Sequence, residues 1–411
     1  MATMQRTAFS VRNNRNSTRQ MPIAILRGVL LVAIVFVPNR LLLKLVTNRS
    51  LLTLVSGDVR VQKEEGVPAP PTCTDEQLAG IARALVATKD YARRAPPVSF
   101  ETRCPEETWL EEYYRVANIT VPTYLGINVG CNKGLDAVSM GRLLSRNEAF
   151  ESNRWKEGLG EGIDRPACPR PPRDFPVNTG APRKGRIHCI EPVPDTVGRL
   201  KSALHKTGLD LYGLIIAPFV ISNSTGMTLF PAGRAGGETS SIGHCMSGQH
   251  GKGRKGCVSV SMYTLDDYVS RFVMDGDAPI DVLMVDAEGY DFDILRASEE
   301  TLKRVKYLEY EVHKVGSWGN QRVVDSVEFL QKHNFTCYWA GKGRLFRVTG
   351  CLRQDLVDAY EINKFWSNMA CVQNSHVELA KVMEDTFLKI VDVRYVANSL
   401  LWLANMRAGR R

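Results

Sequence analysis

None of the ten cysteines in this 411-residue chain forms a C-x-x-C pair, and no Cys/His spacing suits metal ligation. A structural zinc site is therefore not expected, and no metal is assigned from the sequence. There is no G-x-G-x-x-G, so the fingerprint of dinucleotide binding is missing. No internal repeat runs along the chain, which sets repeat architectures aside. The formal charge of +9 comes without any recognised nucleic-acid motif, and much of it is terminal, at Arg6, Arg12, Arg15 and Arg19 and at Arg407, Arg410 and Arg411. A nucleic-acid partner is not expected. The first 50 residues hold no Asp or Glu, and no uninterrupted apolar run reaches the roughly 20 residues that a spanning helix wants.

What is present is a core-forming chain, 44% hydrophobic, long enough for one large domain with extensions. Residues 21–37 are apolar except for Arg27, followed by Pro38, Asn39 and Arg40 and a second apolar run at 41–43. Arg27 is close enough to one end to snorkel, and the arginines before Met21 mark that end as cytosolic. The preferred reading is a single-pass anchor with a lumenal remainder, in the endoplasmic reticulum or Golgi. A cleaved signal peptide and an organelle transit peptide are the alternatives. Sequons at Asn118, Asn223 and Asn334 are compatible with a lumen. Cys73 and Cys104 bracket a predicted helix, and Cys245, Cys257, Cys337 and Cys351 are available for pairing in an oxidising compartment; free thiols are the equal alternative.

After a proline-bearing stem, Thr74 and Gln77 form a capping-box pattern ahead of a helix over 74–89. From residue 123 strands and helices alternate. Strands are expected at 123–129, 186–190, 282–285 and 307–312; helices are expected at 135–144, 196–205, 292–304 and 323–333. Such alternation argues for a mostly parallel, doubly wound α/β sheet. Two long connections interrupt it, the proline-rich 147–185 and the glycine-rich, basic 233–256, the latter a lid or a solvated insertion. An amphipathic helix is expected at 390–406.

Three stretches carry chemistry. Asn128-Val129-Gly130-Cys131-Asn132-Lys133-Gly134 ends the first strand, where glycines let the backbone approach a ligand closely and a helix N-terminus offers free N–H groups. Ile190-Glu191-Pro192 follows the second strand, where a carboxylate can accept from a ribose diol. Val285-Asp286-Ala287-Glu288-Gly289-Tyr290-Asp291 sets two carboxylates at the end of a later strand, where open α/β sheets bind their ligands.

Taken in order, these motifs resemble those of the FkbM-like methyltransferases: a D-x-G-x-N-x-G loop, an acidic E-P, and I-D-x-E-G. The likeness continues through 222–226, 264–268 and Glu309-Tyr310-Glu311-Val312-His313. The resemblance implies a Rossmann-like methyltransferase sheet that binds S-adenosylmethionine, usually for O-methylation of a sugar or related hydroxyl, so the partner is a small-molecule or glycan acceptor. It implies cofactor contacts from Asn128, Gly130, Asn132, Gly134, Glu191 and Asp286. It makes Asp286 the first candidate base, ahead of Glu288 and His313. The family's loop Asp is Asn128 here, which keeps an acceptor and loses a charge. On this reading the chain divides into a basic tail (1–20), an anchor (21–46), a stem with a packing helix (47–104), the methyltransferase domain (105–350) and a helical extension (351–411). A nicotinamide-dependent oxidoreductase and a non-catalytic lumenal carbohydrate-binding protein on the same scaffold are the competing readings. The oligomeric state is left open.

Overall fold

The structure, a computed structural model, describes residues 36–37, 40–41, 72–87, 91–92, 99–100, 107–117, 119, 121–163, 181–238, 242, 245, 256–273, 276–352 and 354–392. The chain divides into residues 1–65 and 66–411. In the first unit the described structure is one short antiparallel pair, Phe36–Val37 with Arg40–Leu41. Among the described residues no helix is long and apolar enough to cross a membrane. The tail 1–20 and most of the expected anchor 21–46 lie outside the described residues.

The second unit is built on an eight-stranded sheet. In chain order its strands, numbered with those of a smaller sheet, begin with β1 (Thr123–Val129), β2 (Lys184–Ile190) and β3 (Leu214–Ala217). The smaller sheet holds β4 (Val220–Ile221), β5 (Gly226–Pro231) and β6 (Cys257–Tyr263). The large sheet resumes with β7 (Ile280–Val285), β8 (Val305–Val312), β9 (Phe335–Gly341), β10 (Arg344–Arg347) and β11 (Ser367–Gln373). Its order is β10-β9-β11-β8-β7-β1-β2-β3, parallel from β3 through β8 and antiparallel from there to β10. This is the mostly parallel α/β sheet that the alternation predicts. Six of the seven residues of β1 are buried, the mark of a central parallel strand covered on both faces. The chain runs outward from β1 to β3 and returns to the centre at β7. The order therefore reverses between β1 and β7, and the crevice outside their carboxyl ends is where such sheets bind ligands.

The helices are α1 (Asp75–Ala87), α2 (Thr108–Val116), α3 (Leu135–Ser145), α4 (Ser152–Leu159), α5 (Pro194–Thr207), α6 (Leu265–Phe272), α7 (Asp291–Arg296), α8 (Glu299–Leu302), α9 (Val323–Lys332), α10 (Gln354–Asn363) and α11 (Val377–Val391). The capping box at α1 is reciprocal: Thr74 N donates to Gln77 Oε1 at 2.9 Å and Gln77 N to Thr74 Oγ1 at 3.2 Å. The single helix expected at 292–304 is two pieces. Ser298 between them is buried and bonds back to the Ile294 carbonyl, while the Asp266 carboxylate accepts from Glu300 N and Thr301 N and so starts α8 afresh.

Two further differences matter for the site. The connection 147–185 contains α4, whose Trp155 is fully buried; residues 164–180 of it lie outside the described residues. The stretch set apart as a helical extension, 351–411, supplies β11, which lies between β8 and β9 with Met369, Ala370, Cys371 and Val372 wholly buried. The fold's core therefore extends past residue 350. The helix expected at 390–406 falls almost wholly outside the described residues, while α11 ends at Val391.

All eight described cysteines are paired, as Cys73–Cys351, Cys131–Cys189, Cys245–Cys257 and Cys337–Cys371. Cys104 and Cys168 lie outside the described residues.

Candidate active site

The loop after β1 is wedged between the ends of two strands. Gly130 has φ +71°, and its N–H and that of Cys131 both donate to the Ile190 carbonyl, at 2.9 and 3.0 Å. A Cβ at Gly130 would run into the carbonyl oxygen of Asp286, so only glycine lets the loop and the end of β7 lie this close. Asn132 is also left-handed, at φ +45°, and its N–H donates to Glu191 Oε2 at 3.0 Å. The other carboxylate oxygen of Glu191 accepts from Val193 N at 2.8 Å. Burial pushes the Glu191 carboxyl up to about 7.

The loop is braced from three sides. Cys131 is cross-linked to Cys189 on β2. The Trp155 indole of α4 donates to the Lys133 carbonyl at 2.7 Å. Lys133 turns from the cleft toward the glycine-rich segment, donating to Gly236 O at 2.7 Å and pairing with Glu238 at 2.5 Å. Asn132 Nδ2 reaches Gly237 O at 3.4 Å, while its Oδ1 is buried with no partner among the described residues.

The second wall follows β7. Asp286 N donates to the Val129 carbonyl at 3.0 Å, and the Asp286 carboxyl shares a hydrogen bond with Glu311 of β8. Asp286 is exposed at the cleft, and desolvation by the surrounding walls above all holds its carboxyl up at about 6. Glu288 sits at φ +51°, an uncommon backbone for a side chain of this kind, in a turn fixed by Asp291, whose oxygens accept from Ala287 N and Gly289 N at 3.2 Å each. Burial, then the neighbouring charges of Asp286 and Asp291, push Glu288 up to about 9. His313 Nε2 is 3.5 Å from Glu311 Oε2, and burial holds the imidazole down at about 4.

Gly130, Asn132, Glu191, Asp286 and Glu288 thus line one cleft, opposite an apolar side formed by Phe219, Ile221, Phe230 and Ile242. Among its described lining residues there are three carboxylates and no Lys or Arg. Asn128 is buried within β1 and is not part of the lining, so its side chain is not the one offered to the crevice. Gly134 begins α3 at φ +69° behind the loop, where a Cβ would meet Leu200 Cδ2 and Trp155 Cζ2, each at 3.0 Å. His313 adjoins the cleft through Glu311 and Glu288 rather than lining it.

Sequence reasoning missed Glu311, Asp291 and the apolar wall. Glu311 was open to discovery, because Glu309, Glu311 and His313 alternate along a strand and must share a face. Phe219 and Ile242 carried no signal, since they come from loops around the smaller sheet.

Residues 175–337 match the family model described as the methyltransferase FkbM domain. The resemblance drawn from the ordered motifs is thereby shown over that segment, which contains Glu191, Asp286 and Glu288 and stops short of the loop at 128–134. Among solved structures, the methyltransferase FkbM from Methylobacillus flagellatus KT aligns at 8% identity and a TM-score of 0.31, over 63% of this chain and 47% of the other. This chain thus spans about half the length of that relative. A candidate O-methyltransferase from Klebsiella pneumoniae aligns at 10% identity and a TM-score of 0.27, over 73% of this chain and 91% of the other. No curated protein matches.

Proposed function

We propose that this chain, which carries a methyltransferase FkbM domain over residues 175–337, transfers a methyl group from S-adenosylmethionine to a hydroxyl of a sugar or related acceptor. The observation that carries the reading is the lining of the cleft, rich in carboxyl oxygens and without a cationic side chain among its described residues. Glu191, Asp286 and Glu288 line it without a Lys or Arg among the described lining. A dinucleotide would bring a pyrophosphate against that lining, whereas a sulfonium donor brings positive charge at its sulfur and its amino group.

The residues present fit such a donor. The partnerless, buried Oδ1 of Asn132 is an acceptor suited to an ammonium. Each oxygen of Glu191 accepts one backbone N–H and keeps a lone pair for a ribose hydroxyl. Phe219, Ile221 and Ile242 supply an apolar surface for a base. When bound, S-adenosylmethionine supplies an electrophilic methyl carbon for an in-line displacement. The chain's own part is to align the acceptor and take its proton. Asp286, at the end of the strand beside the loop, is the proton acceptor, with Glu288 and His313 next to it.

The test is calorimetry with S-adenosylmethionine and with NAD(P), followed by transfer of labelled methyl to a panel of glycans. Binding of S-adenosylmethionine with label appearing on a hydroxyl is expected. Thermal protection by NAD(P) alone would favour the oxidoreductase, and glycan binding with neither cofactor would favour a binding protein.

The same reading puts the domain in an oxidising lumen, behind residues 21–46 as a single-pass anchor. The four described disulfides support it, since such bonds persist in secretory compartments and are rare in the cytosol. Protease added to sealed microsomes should leave the domain intact; digestion without detergent would overturn the topology.

A further inference from the structure

Beside the cleft the turn after β7 meets the buried carboxyl end of β8, which His313 directly follows. Strand alternation sets Glu311 and His313 on one face, and the left-handed Glu288 brings its carboxylate to them. One ligand atom from each, two carboxylate oxygens and an imidazole nitrogen, lie within 4.8 Å of one another. Donors standing about 2.0–2.2 Å from a common ion are at most about 4.4 Å apart, so the three side chains need only draw together as the ion binds.

Internal pairing accounts for Glu311, which shares a hydrogen bond with Asp286, but not for His313. The Nε2 of His313 is shielded from solvent and makes no hydrogen bond among the described residues, although Glu311 Oε2 is 3.5 Å away. The side chains of His313 and Glu311 are only 13% and 7% exposed, so water does not readily satisfy them. A buried nitrogen left without a bond beside two carboxylates is accounted for by a cation that accepts all three lone pairs.

We propose that Glu288, Glu311 and His313 bind one divalent metal ion, of the Mn²⁺ or Zn²⁺ kind that mixed carboxylate and imidazole ligands favour over Mg²⁺ or Ca²⁺. Glu288 also lines the cleft, so the ion's remaining positions face the acceptor and take two neighbouring hydroxyl oxygens. A hydroxyl held on the ion loses its proton more readily, and the proton passes to Asp286. This role for the acceptor rests on the methyltransferase reading; the ion site itself does not.

The experiment uses the full chain, stripped with a chelator and titrated with Mn²⁺ alone, with binding followed by electron paramagnetic resonance. One Mn²⁺ per chain is expected, with nitrogen hyperfine coupling that disappears in His313→Asn. Affinity should fall at least about tenfold in Glu311→Gln and in Glu288→Gln. The second of these lies in a partly exposed turn and keeps the test valid if the first fails to fold. Absence of stoichiometric Mn²⁺ in the parent, or parental affinity in all three variants, overturns the proposal. Calorimetry with S-adenosylmethionine on the same stripped protein separates the two readings. Its failure would remove the methyltransferase assignment and leave the ion site standing.

Discussion

Glu191 and Asp286 end strands on either side of β1, and their surroundings assign them different work. Glu191 accepts from Asn132 N and Val193 N, so Glu191→Ala leaves two backbone donors without their acceptor in a buried loop. Cofactor binding should weaken by about 1–3 kcal/mol, with a smaller effect on kcat at saturation. Asp286→Asn keeps the shape and removes the proton acceptor, so kcat should fall roughly 10²-fold or more while cofactor affinity stays within a few fold. Equal losses of cofactor affinity in both variants, with normal turnover, would pass the role of base to His313 or Glu288. Asp286 must be ionised to act, and it is held at about 6, so kcat in the parent should climb through that pH and level off above it. Gly130→Val forces a side chain into a left-handed backbone and against the Asp286 carbonyl. It should abolish cofactor binding, and calorimetry showing parental affinity would place the site elsewhere.

The loop between β1 and α3 is held by a covalent bond to β2, by the indole of α4 and by the glycine-rich segment. Cys131–Cys189 closes a stretch of 58 residues, for which chain entropy alone gives about 4 kcal/mol of stabilisation. Replacing both cysteines with serine should therefore lower the melting temperature and, by freeing the loop, weaken S-adenosylmethionine binding. An unchanged dissociation constant in a folded double variant would show that α4 and the glycine-rich segment suffice. Much of this element was legible in the sequence. The strand 123–129, its glycine loop and the capping box at Thr74 follow from local patterns whose physics is complete within a few residues. What was not legible depends on distant partners. Trp155 lies in a stretch that reads as a proline-rich connection, and its purpose appears only against the Lys133 carbonyl. Strand β11 reads as part of a tail because its five buried positions of seven need neighbours on both sides to make sense.

Across the whole molecule, the charge around the cleft has a thermodynamic consequence. Burial raises Glu191 from 4.5, Asp291 from 3.8 and Glu309 from 4.5, each to about 7. Between about pH 4 and 7 the folded chain holds more protons on these groups than the unfolded chain does, so their contribution to stability falls as pH rises across that window. His313 and His376, held below their usual value by burial, run the opposite way, but they are two groups against these three carboxyls and the likewise raised Asp136, Asp286, Glu288 and Glu311. The melting temperature without ligand should be higher near pH 5 than near pH 8, by several degrees at the usual rate of about 2–4 °C per kcal/mol. A flat or rising profile in scanning calorimetry would mean that these carboxyls are better solvated than their burial implies. A last consequence concerns time rather than energy. Because β11 lies between β8 and β9, and because Cys73 is joined to Cys351 across 278 residues, neither the sheet nor that bond can be completed while the ribosome is still short of these late segments. During synthesis the inner edge of β8 is left open, the kind of unpaired edge that invites aggregation. A nascent chain of this design has to be sheltered until its last strand arrives, and one released after residue 350 would lack the piece that closes its own sheet.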